Sequence, residues 1–576
     1  PEQAIEVYEA ALKRNPRDST LASKIGQALI RTHNYNKAIN YYEAAVKSGN
    51  QGFLRYDLAE LYMKMKNYEK AEKVIRTALE QQKGTDVASL MEESKLLVLL
   101  AKIHQKTSNT EEYLKVLMNA KDVQIRVLKR VGLEQPDQVS LQTLQAAKIC
   151  CDIAEVATSK REYDQAIRSY KEALSHDSSH VKAMLALARL HLLVNDLDAC
   201  QQQCSQLLEM DKDNDSAFMM MAELMFRKHD YESAIFNFQQ LLERKPDQYE
   251  ALGRLLDLLR RAGKLEECDK FIQQAEKSPR TGRDAGLNYC KGMNEWSKNN
   301  PTQALKFFNL ARKDAEWGEK ATYNMIEICL NPDNETLGGE TFEGMDSDLG
   351  NQAEKTDSQL AAVKTAEKLL KELKPTGNGL KYRILENYAF MANKNKSNIE
   401  KSLSHFMEIA TAERDHLPSL LGMATAYMYM KQTPRARNQL KRIAKMNWTM
   451  EEADEFERSW LLLADVYIQN GKYDMAGDLL KKCLDHNKSC CKAWEYLGFI
   501  MEKEQAYQDA AKNYENAWKF GNQNNPGIGY KLAFNYLKAK RFVDAIDVCH
   551  KVLSQHPKYP RIRKEILEKA RSSLRI

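Results

Sequence analysis

The segment Ala38-Ile39-Asn40-Tyr41-Tyr42-Glu43-Ala44-Ala45 is built on a small–bulky–small frame, Ala38, Tyr42 and Ala45, that returns along the chain. Ala4-Tyr8-Ala11 precedes it by 34 residues, Ala71-Ile75-Ala78 follows it by 33, and Ala510-Tyr514-Ala517 keeps the frame near the other end. Spacings of four and seven place the three side chains on one face of a helix. Twelve residues before the first small residue stands another, as at Gly26, Ala59, Ala101, Ala154, Ala188, Ala222, Gly292, Ala424, Ala464, Gly498 and Ala533. A bulky residue commonly follows it three positions on (Tyr62, His104, Tyr427, Tyr467, Met501, Tyr536). Each period is therefore two helices, and the small residue of the first lets the second approach closely. A repeat of this length predicts a solenoid of stacked helix pairs.

Composition agrees. The 576 residues contain 13 Pro and 24 Gly, few breakers for a chain too long to bury one compact core. A formal net charge of +6 from 86 basic and 80 acidic residues gives no general reason to expect nucleic acid. The 11 cysteines form no paired framework and fall mostly at buried helix positions, which predicts a reduced, intracellular protein. No apolar run is long enough to predict a membrane span. The chain opens at Pro1 inside a repeat, which predicts a piece of a longer protein.

Turn signals close many periods: Asn15-Pro16, Lys245-Pro246, Ser278-Pro279 and His556-Pro557. Three domains are expected. Residues 1–330 form a repeat solenoid with elongated hairpins near 86–160. Residues 331–358 form a mobile acidic loop between the two helices of one unit, carrying eight acidic residues, one Lys, Gly338-Gly339, Gly344 and Gly350. Residues 359–576 resume the solenoid, degenerate up to Ser419, and end in a basic capping helix over Arg561 to Leu574.

No catalytic, cofactor-binding or metal site is predicted. There is no HExxH, GK[ST] phosphate loop or GxSxG. Gly527-Ile528-Gly529 sits at a helix position rather than after a strand. Asp211 to Asp215 reads as a turn and N-cap, because a calcium loop would need Gly where Ser216 stands and Glu where Ala222 stands. Cys483, His486, Cys490 and Cys491 could approach a zinc ligand set, but Cys483 occupies a buried repeat position, and a reduced structural cluster is expected. His176 and His180 straddle a turn and read as solvated. Partner-binding residues are expected on the concave first-helix faces, with Asp333, Glu335, Glu340, Glu343, Asp346 and Asp348 of the acidic loop as candidates.

The unit Trp494, Leu497, Gly498, Met501, Ala510, Tyr514, Ala517 resembles the tetratricopeptide repeat, and Trp460, Leu463, Ala464, Tyr467, Ala476, Leu480 carries most of the same pattern. The resemblance implies an all-α, right-handed superhelical solenoid of about 14 helix-hairpin repeats plus an opening half repeat. Members of this class that clamp a C-terminal carboxylate carry Lys and Asn at fixed first-helix places. Here those places hold Leu461 and Asp465, Glu495 and Phe499, Tyr530 and Phe534, and their equivalents, never the pair, so that mode is not expected.

Stretches such as Pro1-Glu2-Gln3-Ala4-Ile5-Glu6-Val7-Tyr8, Tyr56-Asp57-Leu58-Ala59-Glu60-Leu61-Tyr62 and Cys150-Cys151-Asp152-Ile153-Ala154 resemble the C-terminal half of the tetratricopeptide repeat protein 21 family, in its B branch with the A branch as alternative. The resemblance implies a non-enzymatic subunit of intraflagellar transport complex A, acting in retrograde ciliary transport and in trafficking of membrane proteins into cilia. The repeats by themselves leave open a helical-repeat adaptor of another assembly, of cell-cycle or RNA-processing type, or the regulatory repeat arm of an enzyme lying outside this stretch. The family resemblance implies as partners the other complex A subunits (WD40 and helical-repeat proteins), complex B trains and ciliary membrane-protein cargo adaptors. The implied location is the cilium, at axoneme and basal body, with cytoplasm and cytoskeleton.

Overall fold

The computed structural model describes residues 2–49, 52–82, 84–277, 284–342, 352–373 and 379–574. Regular structure among them is helical throughout. An opening helix, Glu2–Arg14, precedes fourteen successive helix pairs, from Ser19–Arg31 with Tyr35–Ser48 to Pro526–Lys538 with Phe542–Gln555. The predicted solenoid of tetratricopeptide type is therefore present. The chain divides into two compact units, Pro1–Met220 and Met221–Ile576.

The repeated frame forms the core as the spacing predicts. Ala38 and Tyr42, Ala71 and Ile75, and Ala510, Tyr514 and Ala517 are all buried. Close approach is visible where the first-helix residue is glycine. A Cβ on Gly498 would lie 2.9 Å from the Tyr514 ring, and one on Gly292 would lie 2.8 Å from Phe308. The aromatic ring fills the space that a side chain on the glycine would take.

Local signals set the helix ends. Asp18, Asn67, Asp86, Asn109, Asp196, Asp230 and Asn525 accept backbone N–H groups in the first turn of the helix they precede. Between the two helices of a repeat the chain turns through one left-handed residue, such as His33, Lys66, Ser108, Asn195, His229 or Lys540. The next N–H then bonds back to the first helix, as Asn67 does to the Tyr62 carbonyl at 2.9 Å.

In the first unit the predicted elongation is seen in Val87–Lys106, Thr110–Glu134 and Val139–Ser159, of 20, 25 and 21 residues. A buried polar bridge joins these three helices. The Ser94 hydroxyl donates to Gln124 Oε1 at 2.6 Å, and Gln124 Nε2 donates to the Gln142 carbonyl at 3.0 Å and to its side-chain oxygen at 2.9 Å. Both ends of the Gln124 amide are thus paired, which offsets the cost of burying it in the core.

In the second unit Ile562, Ile566, Leu567 and Ala570 pack on Ala545, Cys549 and Val552, so the basic terminal segment covers the last repeat. This unit also joins distant repeats. Arg260 and Arg261 both reach Asp454, at 3.2 and 3.1 Å, and the Arg261 carbonyl accepts the Lys488 N–H at 2.8 Å. No helix among the described residues is long and apolar enough to cross a membrane.

The loop expected over 331–358 is shorter and partly ordered. Residues 331–342 are non-helical but held, and Gln352–Glu372 is a helix pairing with Gly318–Leu330, so residues 352–358 belong to a repeat. Gly344, Gly350, the Ser278-Pro279 turn and Arg575 lie outside the described residues.

Candidate protein-interaction groove

First helices of successive repeats touch one another along the second unit: Leu380–Ala392 with Leu417–Tyr429, then Ala453–Gln469, then Cys491–Lys503. They make one continuous face. Residues 335–342 lie on it.

The segment leaves the Gly318–Leu330 helix through a local clamp. Asn331 Nδ2 donates to the Glu335 carbonyl at 2.8 Å, and Asn331 Oδ1 accepts the Glu335 N–H at 2.9 Å. A tight turn follows, in which the Gly339 N–H bonds to the Thr336 carbonyl at 3.0 Å. Gly338 adopts φ +82°, and a Cβ there would meet Met428 Cβ at 3.0 Å. A Cβ on Gly339 would lie 3.0 Å from Asp465 Oδ2. The two glycines thus serve close backbone approach, although the sequence pattern predicts only a slack loop.

Asp465 is the floor of the site and is fully buried. Its Oδ1 accepts the Glu340 N–H at 2.9 Å, and its Oδ2 accepts the Thr341 N–H at 3.1 Å and the Tyr496 hydroxyl at 2.8 Å. A buried carboxylate satisfied by three donors is a stable arrangement. The first-helix place where a carboxylate clamp would be expected is therefore used in the reverse sense: the groove supplies the acid and the bound segment supplies N–H groups.

Beyond Asp465 the segment meets lysines and aromatic rings. The Phe342 ring lies 4.8 Å from Tyr496 and 5.6 Å from Phe499, centre to centre. Lys531 Nζ sits 3.9 Å from the Phe342 centroid and Lys492 Nζ 5.1 Å. Lys492 pairs with Glu335 at 2.8 Å and with Glu495 at 3.1 Å, Lys531 pairs with Glu495 at 2.7 Å, and Lys431 pairs with Glu340 at 2.7 Å. Burial works against the Glu495 charge, but Lys492 and Lys531 outweigh it and hold its carboxyl at about 2. The Lys492 ammonium is conversely pushed up, because Glu495 and Glu335 outweigh its own desolvation.

Of the candidate acidic residues, Glu335 and Glu340 therefore face lysines of their own chain. Asp333 is exposed at the start of the segment. Glu343, Asp346 and Asp348 lie outside the described residues. Sequence reading names Asp465 and Glu495 only as places lacking a clamp pair, and it does not mark Lys431, Lys492 or Lys531. Each of these is an ordinary first-helix or turn residue until a segment far away in sequence is laid beside it.

The remaining candidates resolve as packing or capping. Asn214 Oδ1 accepts the Ala217 N–H at 2.9 Å, so Asp211 to Asp215 is a turn and cap as expected. Gly529 lies in a helix, where a Cβ would run into Val552. His486 stacks on Trp448 at 4.3 Å, and the Cys491 thiol donates to the Ala517 carbonyl at 3.2 Å. His176 and His180 are not simply solvated, contrary to expectation. Both are half-buried, and His180 Nδ1 accepts the Ala183 N–H at 3.1 Å as an N-cap. His176 also lies with Cys150 and Glu172 in a group whose ligand atoms are within 4.8 Å of one another. Glu172 there is already paired with Lys121 at 2.7 Å, and burial pushes the Cys150 thiol up to about 11, so a metal would have to displace both a lysine and a proton.

Helix-pair repeats whose first helices present an unbroken face to an extended segment define a helical-repeat scaffold of the tetratricopeptide class. Three family models match: "Tetratricopeptide repeat protein 21 forth ARM domain" over residues 21–174, "TT21 fifth ARM repeats domain" over 215–330, and "Tetratricopeptide repeat protein 21 C-terminal ARM domain" over 365–571. A general tetratricopeptide repeat model matches 157–224. The whole chain aligns at 60% identity with human tetratricopeptide repeat protein 21B, covering 44% of that protein. It aligns at 52% with mouse tetratricopeptide repeat protein 21A, again over 44% of the relative, and at 34% with the Caenorhabditis elegans tetratricopeptide repeat protein 21 homolog, over 43%. The chain belongs to the tetratricopeptide repeat protein 21 family and spans less than half the length of the curated relatives it matches.

Proposed function

We propose that this chain is the protein-binding repeat region of a structural subunit of intraflagellar transport complex A, working in retrograde ciliary transport and in delivery of membrane proteins into cilia. The observation that carries the reading is the alignment of the whole chain to part of proteins named tetratricopeptide repeat protein 21B and 21A, at 60% identity with the human 21B and 52% with the mouse 21A. The helix-pair architecture supports a docking role, because a solenoid exposes a large area relative to its mass and can engage several partners along its length. Its partners are then the other complex A subunits, complex B trains and cargo adaptors, and its place is the cilium and basal body.

The test is purification of the tagged chain within its full-length protein from ciliated cells. Complex A subunits recovered in stoichiometric amounts support the reading. Their absence, with recovery of a different assembly, rejects it.

A further inference from the structure

The face formed by the Leu417–Tyr429, Ala453–Gln469, Cys491–Lys503 and Pro526–Lys538 helices is already occupied by residues 335–342. What holds the segment there has the character of peptide recognition. Paired backbone N–H groups meet a buried carboxylate. Two glycines permit the approach. Acidic side chains on either side of the turn meet lysines, and an aromatic ring fills a slot between Tyr496, Phe499 and Lys531.

The attachment is also of a reversible kind. Each ion pair keeps one side chain in contact with water, Glu335 in the pair with Lys492 and Lys431 in the pair with Glu340, so solvent can reach and weaken both. Residues 335–342 belong to neither helix of their repeat, so lifting them off breaks no helix. We propose that residues 335–342 are an intramolecular ligand that keeps this groove closed, and that a partner protein enters it by displacing them with an extended acidic segment of the same chemistry: an acid, a Gly-Gly turn, a second acid and an aromatic residue two positions later.

This deepens the scaffold reading by naming a site and a ligand class, and it does not depend on the ciliary assignment. A tethered ligand competes at an effective concentration in the millimolar range, so weakening it must expose the groove. The probe is a dye-labelled peptide with the sequence of residues 331–342, added to the full chain and followed by fluorescence anisotropy. The double variant Glu335→Ala, Phe342→Ala is expected to bind this peptide at least tenfold more tightly than the unaltered chain. A peptide carrying the same two substitutions is expected to lose that gain.

Equal affinity of the two chains, with the variant still helical by circular dichroism, overturns the proposal and marks the segment as a permanent strap. Should the double variant not fold, hydrogen exchange on the unaltered chain decides: peptide in millimolar excess must speed exchange of the Glu340 and Thr341 amides, and unchanged exchange overturns the proposal. A dimer of the unaltered chain that dissociates in the variant would assign the segment to exchange between two copies and also overturn it. None of these results changes which subunits co-purify, so the two readings fail separately.

Discussion

Asp465 Oδ1 accepts the backbone N–H of Glu340 at 2.9 Å across 125 residues of chain. One buried carboxylate thereby ties a loop that interrupts one repeat to the first helix of another. It also receives the Tyr496 hydroxyl, so both the loop and the neighbouring repeat depend on it.

Asp465→Ala should release residues 335–342 and leave Tyr496 without its acceptor. Orphaning a buried donor costs about 1–3 kcal/mol. The expected result is a lower denaturant midpoint at unchanged helical content, together with faster hydrogen exchange at Glu340 and Thr341. Protection at those two amides in the variant would mean that Asp465 is not what holds them.

Gly498→Trp should cost about 1–3 kcal/mol by overpacking, since even a Cβ would lie 2.9 Å from Tyr514. Gly477 is the control. It lies inside the Tyr473–His486 helix, and a Cβ there meets nothing within 4 Å. Gly477→Ala should therefore stabilise by about 0.5–1 kcal/mol through helix propensity. Equal effects at the two sites in urea melts would refute the packing account.

Gln124→Ala should destabilise by about 1–3 kcal/mol, because Ser94 and Gln142 each lose a buried partner. Adding Ser94→Ala to it should cost less than that substitution costs alone, because the hydroxyl has no partner left to lose. Strict additivity in the double-mutant cycle would show that the bridge is not a unit.

Stability should vary with pH in two opposite senses. Burial raises the Glu455 carboxyl to about 7, with Asp454 and Glu327 adding to it and Arg458 opposing. The folded state then holds this proton more tightly than the unfolded chain, so the contribution is full below the ordinary glutamate range and is lost as pH rises toward 7. Glu495, held at about 2, contributes above the ordinary range and loses that contribution as pH falls toward 2. Glu455→Gln should flatten the decline between pH 5 and 7 and leave the acid limb intact. An unchanged slope in that window, measured by chemical denaturation, would reject the Glu455 assignment.

The repeat frame is legible because it is local. Ala38, Tyr42 and Ala45 carry their spacing wherever they stand, and Gly498 or Gly292 declares that a large neighbour packs close by. Long helices near residue 100 are legible for the same reason. The left-handed turn residues are not, because His33, Lys66, Asn195 and Lys540 share a backbone conformation without sharing a side-chain type. Gly338-Gly339 invites the opposite error. Two glycines amid acidic residues look like slack, yet their missing side chains are what admit Met428 and Asp465. Contacts such as Lys492 with Glu335 escape altogether, since every repeat offers similar helices and no local signal says which distant one a loop will choose.

The hydroxyl of Ser489 donates to the Arg260 carbonyl across 229 residues, and this contact bears on the order of events during synthesis. Neighbouring helix pairs can settle one after another as the chain leaves the ribosome. Asp454, Asp465 and Lys488 have not yet been made when Arg260 and Glu340 emerge. The second unit therefore waits, with its glycine turn and the Arg261 carbonyl still lacking their distant partners, until its late repeats arrive, and its last long-range closures form after translation has passed residue 489.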